Sequence, residues 1–131
     1  MGYFVQLVAI AAIFQFIYFG WMVGKARGKS GLKAPAMAGD DGFERTYRVQ
    51  MNTLELLVIF MPSLFLASVY FPAILVGGLG AVYIVGRFVY SNAYVSKPSS
   101  RGLGFMLSFV PTVALGVLAL IGILLNMFGW G

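Results

Sequence analysis

Four apolar segments, each long enough to cross a lipid bilayer, constrain the fold of this 131-residue chain more than any other feature. A membrane-spanning helix needs about 20 predominantly apolar residues. We predict spans at about 3–24, 47–70, 73–95 and 103–129, with a polar loop at 25–46. The predicted fold class is all-α integral membrane: a four-transmembrane-helix bundle that forms a single domain over residues 1–131.

The composition supports a membrane protein and limits the available chemistry. Hydrophobic residues make up 60% of the chain and charged residues only 10%, whereas roughly a quarter of the residues in soluble domains are charged. The chain has no cysteine and no histidine, so it lacks a thiolate nucleophile, a histidine base and the usual ligands of soft metals. We expect no metal cofactor, and any sulfur chemistry requires a sulfur-bearing substrate.

The distribution of basic residues predicts the orientation in the membrane. They lie at the first and third connections, whereas the second connection and both termini carry none: Lys25, Arg27, Lys29, Lys33, Arg45, Arg48, Lys97 and Arg101. The positive-inside rule places these two connections in the cytosol and both termini outside. It also explains the net charge of +5 better than nucleic-acid binding does, since long apolar runs separate the basic residues.

Polar and charged residues at the start of the second span form one stripe. At about 100° per residue, Asn52 lies roughly 40° from Arg48, and Glu55 lies roughly 20° to the other side of Arg48. An ionisable group near the centre of a membrane helix costs about 2.5–3.5 kcal/mol, so such groups usually have partners and a function. The stripe is therefore a candidate binding site.

The third span carries a matching set of residues. Arg87, Tyr90 and Tyr94 lie within about 60° of one another on the helical wheel. Arg101 lies at the mouth of the fourth helix, and Arg27 lies at the end of the first. All five residues are predicted to approach the cytosolic boundary.

A purely structural interpretation of these charges remains open at this stage. Glu55 and Arg87 are either ligand-binding residues or a structural pair in the bundle, and Arg48 is able to extend its charge to the interface. The tyrosines are equally typical of an interfacial aromatic belt. Arg87 and Arg45 are candidates for a supporting, structural role, and we expect only a topological role for the loop lysines.

The residue types in the stripe suit a small ligand that has two carboxylates and one ammonium group. Arginines bind carboxylates through forked donors, Glu55 is able to accept an ammonium, and Asn52 offers both a donor and an acceptor. Glutathione has these groups and also supplies the thiol that the chain lacks.

Two segments resemble a known family: FERTYRVQMNTLE at 43–55 and RFVYSNAYVSKPSSR at 87–101. They are similar to the membrane-associated proteins in eicosanoid and glutathione metabolism, the MAPEG family. That family contains microsomal glutathione transferases, leukotriene C synthase and the non-catalytic five-lipoxygenase-activating protein. The resemblance covers essentially the whole chain.

The resemblance implies a homotrimer that binds glutathione, as a co-substrate, between neighbouring subunits near the cytosolic face. It also implies Arg101 as the catalytic residue, which stabilises the glutathione thiolate. The implied glutathione-binding residues, of which Arg27 and Gln50 act from an adjacent subunit, are Arg27, Arg48, Gln50, Asn52, Glu55, Tyr90 and Tyr94.

Two departures from the family pattern favour a general detoxifying enzyme over leukotriene formation. Leu56 replaces a tyrosine, and Gly28 replaces a second arginine. We expect a multi-pass protein of a bacterial inner membrane. It would be a glutathione transferase, with apolar electrophiles or lipid hydroperoxides as second substrates. The alternatives are a non-catalytic lipid- or glutathione-binding scaffold of the same family and a small four-helix drug–proton antiporter.

Overall fold

The computed structural model describes residues 2–97 and 100–129, apart from the side chain of Val95. The described part contains four α-helices and no strand. All four helices are long and apolar enough to cross a membrane, which confirms the predicted fold class. Their bounds are Tyr3–Ser30 (α1), Asp41–Tyr70 (α2), Ala73–Ser96 (α3) and Gly102–Met127 (α4).

The first two helices continue beyond the predicted spans, so the loop predicted at 25–46 is reduced to 31–40. Gly31 ends α1 in the left-handed conformation, with φ at 76°, which glycine adopts without steric cost. Asp40 begins α2, and its Oδ2 accepts a hydrogen bond of 2.9 Å from the backbone N–H of Phe43. Because α1 and α2 continue as far as these caps, the polar end of the bundle consists mostly of helix and contains only a short loop.

Proline positions the second connection as the sequence predicts. Phe71 ends α2 with its N–H bonded to the carbonyl of Ala67 at 3.0 Å, and Pro72 directly precedes α3. Because a proline disfavours the helical conformation in the residue before it, the chain reverses here in a short connection. Pro62 and Pro111 lie inside α2 and α4. In the connection between the spans predicted at 73–95 and 103–129, Pro98 and Ser99 lie outside the described residues.

Helices α3 and α4 approach each other closely because glycines face the contact. A Cβ atom added to Gly86 would lie 2.6 Å from the backbone of Leu107 and 2.6 Å from the backbone nitrogen of Ser108. A Cβ atom added to Gly104 would collide with the backbone of Tyr90. Small residues let membrane helices pack backbone to backbone in this way. This contact fixes the relative positions of two elements that carry candidate site residues.

The apolar core lies towards the end of the bundle that holds the second connection. Phe60 of α2 stacks on Tyr83 of α3 with ring centroids 3.9 Å apart, and both are fully buried. Large apolar side chains such as Leu7, Val58 and Leu120 are exposed on the outside of the protomer. An apolar outer surface of this kind suits contact with lipid. The charged side chains lie towards the opposite end, where α2 begins and α3 ends.

Candidate functional site

A polar cleft of about 320 Å³ opens where α2, α3 and α4 meet. Six residues predicted to belong to the site line it, together with one methionine: Arg48, Met51, Asn52, Glu55, Tyr90, Tyr94 and Arg101. Residues that are distant in the sequence thus come together at the end of the bundle where the basic connections lie. The volume is in the range of pockets that bind small molecules, about 300–1,000 Å³.

The stripe on α2 forms one wall of this cleft. Arg48 and Glu55 are exposed in the protomer, and Asn52 between them is half-buried. The wall therefore offers a forked cation, an amide and a carboxylate within two helical turns. This order of charge gives the cleft separate regions for an anionic and a cationic group of one ligand.

Tyrosines from α3 form the opposite wall, and α4 begins beside them. Tyr90 is only 4% exposed and packs against Phe19 and Val49. Its ring lies 5.5 Å from that of Tyr94, and the guanidinium of Arg101 lies 5.4 Å from the Tyr94 ring. Arg101 occupies the N-cap position of α4. The positive end of the α4 dipole thus opens beside the guanidinium of the same residue.

Arg87 lies behind the cleft rather than in it. Its side chain is fully buried, and its Nε donates to Ser108 Oγ at 3.0 Å. Its Nη1 donates to Asn52 Oδ1 at 2.7 Å and to Thr53 Oγ1 at 3.2 Å. In the described part of the chain Arg87 forms no ion pair with Glu55, and its partner on α2 is instead Asn52, which the sequence did not suggest.

Arg27 and Gln50 lie outside this cleft in the protomer. The guanidinium of Arg27 lies 4.5 Å from the ring of Phe43, and its Nη1 donates to the Ala36 carbonyl at 2.7 Å. The Gln50 amide faces α1, since a Cβ atom added to Gly20 would lie 2.9 Å from its Nε2. Both side chains lie at the contact between α1 and α2. Within one protomer they are therefore separate from Arg48, Asn52 and Glu55.

Arg45 lines a second cleft that adjoins the first. This outer cleft has a volume of about 540 Å³, and it shares Arg48 and Tyr94 with the inner one. Asp41 and Glu44 bring negative charge to it. Arg45 thus lines the adjoining cleft and does not line the inner cleft itself.

Three residues at or behind the cleft were not predicted from the sequence. Met51 lies about 40° from Glu55 on the helical wheel, so the same arithmetic that placed the stripe was able to find it. Ser108 belongs to the small-residue series Gly104, Ser108 and Thr112 at four-residue spacing, which was its only signal. Thr53 has no such signal, because its partner is on another helix.

Fold and site together define an integral, multi-pass membrane protein with a mixed-charge binding cleft at one end of a four-helix bundle. No group of three or more His, Cys, Asp or Glu side chains able to hold a metal ion occurs among the residues that the structure describes.

Comparisons with known proteins narrow this class. A model of the MAPEG family matches residues 5–121. The chain is 42% identical over 102 residues to an uncharacterized protein of Synechocystis sp.. The aligned residues make up 78% of this chain and 74% of that relative. It is 40% identical over 117 residues to microsomal glutathione S-transferase 2 of Homo sapiens, and the aligned residues make up 89% of this chain and 76% of that relative. It is 33% identical over 84 residues to leukotriene C4 synthase of Cavia porcellus, and the aligned residues make up 64% of this chain and 56% of that relative.

The chain belongs to the MAPEG family. The family resemblance inferred from residues 43–55 and 87–101 is thereby confirmed. Relatives named as a glutathione S-transferase and a leukotriene C4 synthase support a glutathione-related transferase function at the level of the family.

Proposed function

We propose that the protein is a membrane-bound glutathione transferase. It binds glutathione, activates the thiol as a thiolate, and conjugates it to apolar electrophiles or uses it to reduce lipid hydroperoxides. The observation that carries the proposal is the cleft itself, which brings Arg48, Asn52, Glu55 and Arg101 together at the edge of the membrane domain. The family match favours this function over that of a drug–proton antiporter.

The groups of glutathione fit the charge order of the cleft. Arg48 is able to hold a carboxylate through two parallel N–H donors. Glu55, about two turns deeper on α2, supplies the negative charge for the ammonium. The hydroxyls of Tyr90 and Tyr94 complete the opposite wall.

Arg101 is the residue that we propose to activate the thiol. A free thiol has a pKa of about 8.5, so only a small fraction is ionised at neutral pH. A permanent cation and a helix N-terminus both stabilise the thiolate, and Arg101 at the N-cap of α4 provides both. The thiol proton passes to solvent, and the sulfur lone pair forms the S–C bond as the electrophile's leaving group departs with its bonding electrons.

Peroxide reduction uses the same thiolate. The sulfur attacks the hydroperoxide, the O–O bond breaks, and the lipid leaves as an alcohol after it takes up a proton. The sulfur keeps the other oxygen as a sulfenic acid. A second glutathione thiolate then displaces this hydroxyl group and forms glutathione disulfide, and the departing hydroxide takes up a proton to give water. Both reactions depend on alignment of a thiolate with a lipid-dissolved substrate, which is a matter of proximity and orientation.

We also propose that three copies of the chain assemble around these clefts. Glu55 lies in a membrane-spanning helix yet is exposed in the isolated protomer, and a carboxylate that faces lipid is unfavourable. A neighbouring subunit that covers this side would bring its own Arg27 and Gln50 to the ligand. Under the positive-inside rule the clefts face the cytosol, and the Synechocystis relative favours a bacterial inner membrane.

Binding and turnover of glutathione by the purified protein test the proposal. Titration calorimetry in detergent should show saturable binding of glutathione, and absorbance at about 240 nm should report the thiolate in the complex. Conjugation of 1-chloro-2,4-dinitrobenzene should follow. Absence of glutathione binding would refute the proposal. Binding without thiolate formation or turnover would identify a non-catalytic scaffold instead.

A further inference from the structure

Arg87 is a buried cation whose hydrogen-bond partners are all neutral. Its guanidinium donates to Ser108, Asn52 and Thr53, and it lies 4.3 Å from the ring of Tyr90. Its Nη2 is buried and has no partner in the described part of the chain. Within the described part of the chain, no carboxylate forms an ion pair with Arg87. Such a costly arrangement within a membrane helix requires a role.

The direction of the Arg87–Asn52 bond fixes the orientation of an amide. A guanidinium has donors only, so Asn52 has to turn its carbonyl oxygen towards Arg87. The opposite orientation would place two donors face to face, 2.7 Å apart. Asn52 also lines the cleft. The group that remains for the cleft is therefore the Nδ2 amide, which is not among the buried polar atoms without a partner.

We propose that Arg87 is a positioning residue that holds Asn52 so that the amide presents only a hydrogen-bond donor to the cleft. The ligand atom at this point has to be an acceptor, such as a carboxylate or peptide oxygen. This selectivity rests on the proposed function and deepens it, because it assigns the cleft beside Arg48 to an acceptor of glutathione. The ammonium of the ligand is then excluded from Asn52 and directed to Glu55.

The variant Asn52→Asp separates a donor from an acceptor at this position. Aspartate keeps an oxygen for Arg87, so the buried cation stays paired and the protein folds. Its second oxygen then faces the cleft as an acceptor in place of the amide donor. We expect the affinity for glutathione to fall by about tenfold to a hundredfold, the range for a lost hydrogen bond to a charged group. Unchanged affinity in a folded Asn52→Asp variant would overturn the inference.

A double-mutant cycle tests whether Arg87 acts through Asn52. If it does, Arg87→Met weakens glutathione binding in the wild-type background but has no further effect on the dissociation constant in an Asn52→Ala background. A loosened bundle would instead weaken binding in both backgrounds. Arg87→Lys, which retains one cationic donor, should restore part of the affinity. Equal losses in both backgrounds, or no loss in either, would refute the positioning role.

Ser108→Ala provides the matched control. It removes the other short hydrogen bond of the same guanidinium, but Ser108 does not line the cleft. We expect it to lower thermal stability while the dissociation constant for glutathione changes by less than about threefold. A loss as large as that of Asn52→Asp would show that Arg87 acts through packing alone.

Each variant is compared with the wild-type protein by titration calorimetry in the same detergent, after its thermal stability has been measured. If Arg87→Met does not fold, Asn52→Asp decides the question, since it keeps the buried pair. A wild-type protein that does not bind glutathione overturns the proposed function and this inference together. A wild-type protein that binds, with an Asn52→Asp variant that binds as tightly, overturns this inference alone.

Discussion

The contact between α3 and α4 at Gly86 is the most direct test of the fold that supports the cleft. In Gly86→Ala, the new Cβ would lie 2.6 Å from the backbones of both Leu107 and Ser108. Ordinary contacts of this kind lie at 3.4–4 Å, so the two helices have to separate by about 1 Å. Backbone atoms are unable to move aside as the end of a flexible side chain does. The strain is therefore shared by both helices.

The separation also breaks the hydrogen bond beside it. Arg87 Nε lies 3.0 Å from Ser108 Oγ, and a further shift of about 1 Å takes this distance beyond hydrogen-bonding range. Overpacking costs about 1–3 kcal/mol, and an interhelical hydrogen bond in a membrane protein contributes about 1–2 kcal/mol. Together they predict a loss of about 2–5 kcal/mol relative to an alanine substitution without these effects.

Gly78→Ala is that reference substitution. Gly78 lies on the same helix, and among the residues that the structure describes, none outside its own stretch of helix has an atom within 4 Å of an added Cβ. Both variants gain the same helix propensity of alanine, about 1 kcal/mol, so the difference between them isolates packing and the hydrogen bond. The free energy of unfolding would be measured by titration with a denaturing detergent in mixed micelles. Equal stabilities for the two variants would refute the close approach of α3 and α4.

Three further predictions concern the site and its frame. Arg101→Ser should keep glutathione binding but raise the pKa of the bound thiol towards about 8.5. The thiolate absorbance of the complex at about 240 nm should then appear only at higher pH. An unchanged pH titration of this absorbance would show that Arg101 does not activate the thiol. Glu55→Gln should weaken glutathione binding by about tenfold or more in calorimetry; retained affinity with a loss of folding would instead identify a structural carboxylate. Asp40→Ala removes the cap on the Phe43 N–H and should lower the free energy of unfolding by about 1 kcal/mol, with glutathione affinity unchanged in the folded protein; a stability equal to that of the wild type would refute the cap.

The helices and the stripe were predictable because both follow from local rules. Apolar length alone predicts four membrane helices, and the angle of 100° per residue predicts that Arg48, Asn52 and Glu55 share a face. The helix ends were less predictable. Gly31 and Asp40 act as caps, but the loop between them also contains Pro35 and Gly39, which are typical helix-ending residues. The sequence alone therefore did not select where each helix stops.

The partners of Arg87 were not predictable from the sequence, for a different reason. A helical wheel gives the direction of a side chain relative to its own helix, whereas a hydrogen bond depends on how far the neighbouring helix is rotated and how closely it approaches. Glycines at the α3–α4 contact set that approach. Arg87 consequently reaches Ser108 on α4 and Asn52 on α2. Without the structure, Glu55 was an equally reasonable partner.

The choice of neutral partners for Arg87 has an electrostatic consequence for the cleft. Had Arg87 formed an ion pair with Glu55, the two charges would have compensated each other, and the deeper part of the cleft would have offered a ligand little attraction. Asn52, Thr53 and Ser108 instead satisfy Arg87 through oxygen atoms that carry no net charge. The carboxylate of Glu55 is thereby left unpaired by Arg87, and it stays available in the cleft for a cationic group of a ligand. Under the proposed function, the buried arginine and the exposed carboxylate would thus have separate roles: one would orient an amide, and the other would attract the ammonium of the ligand.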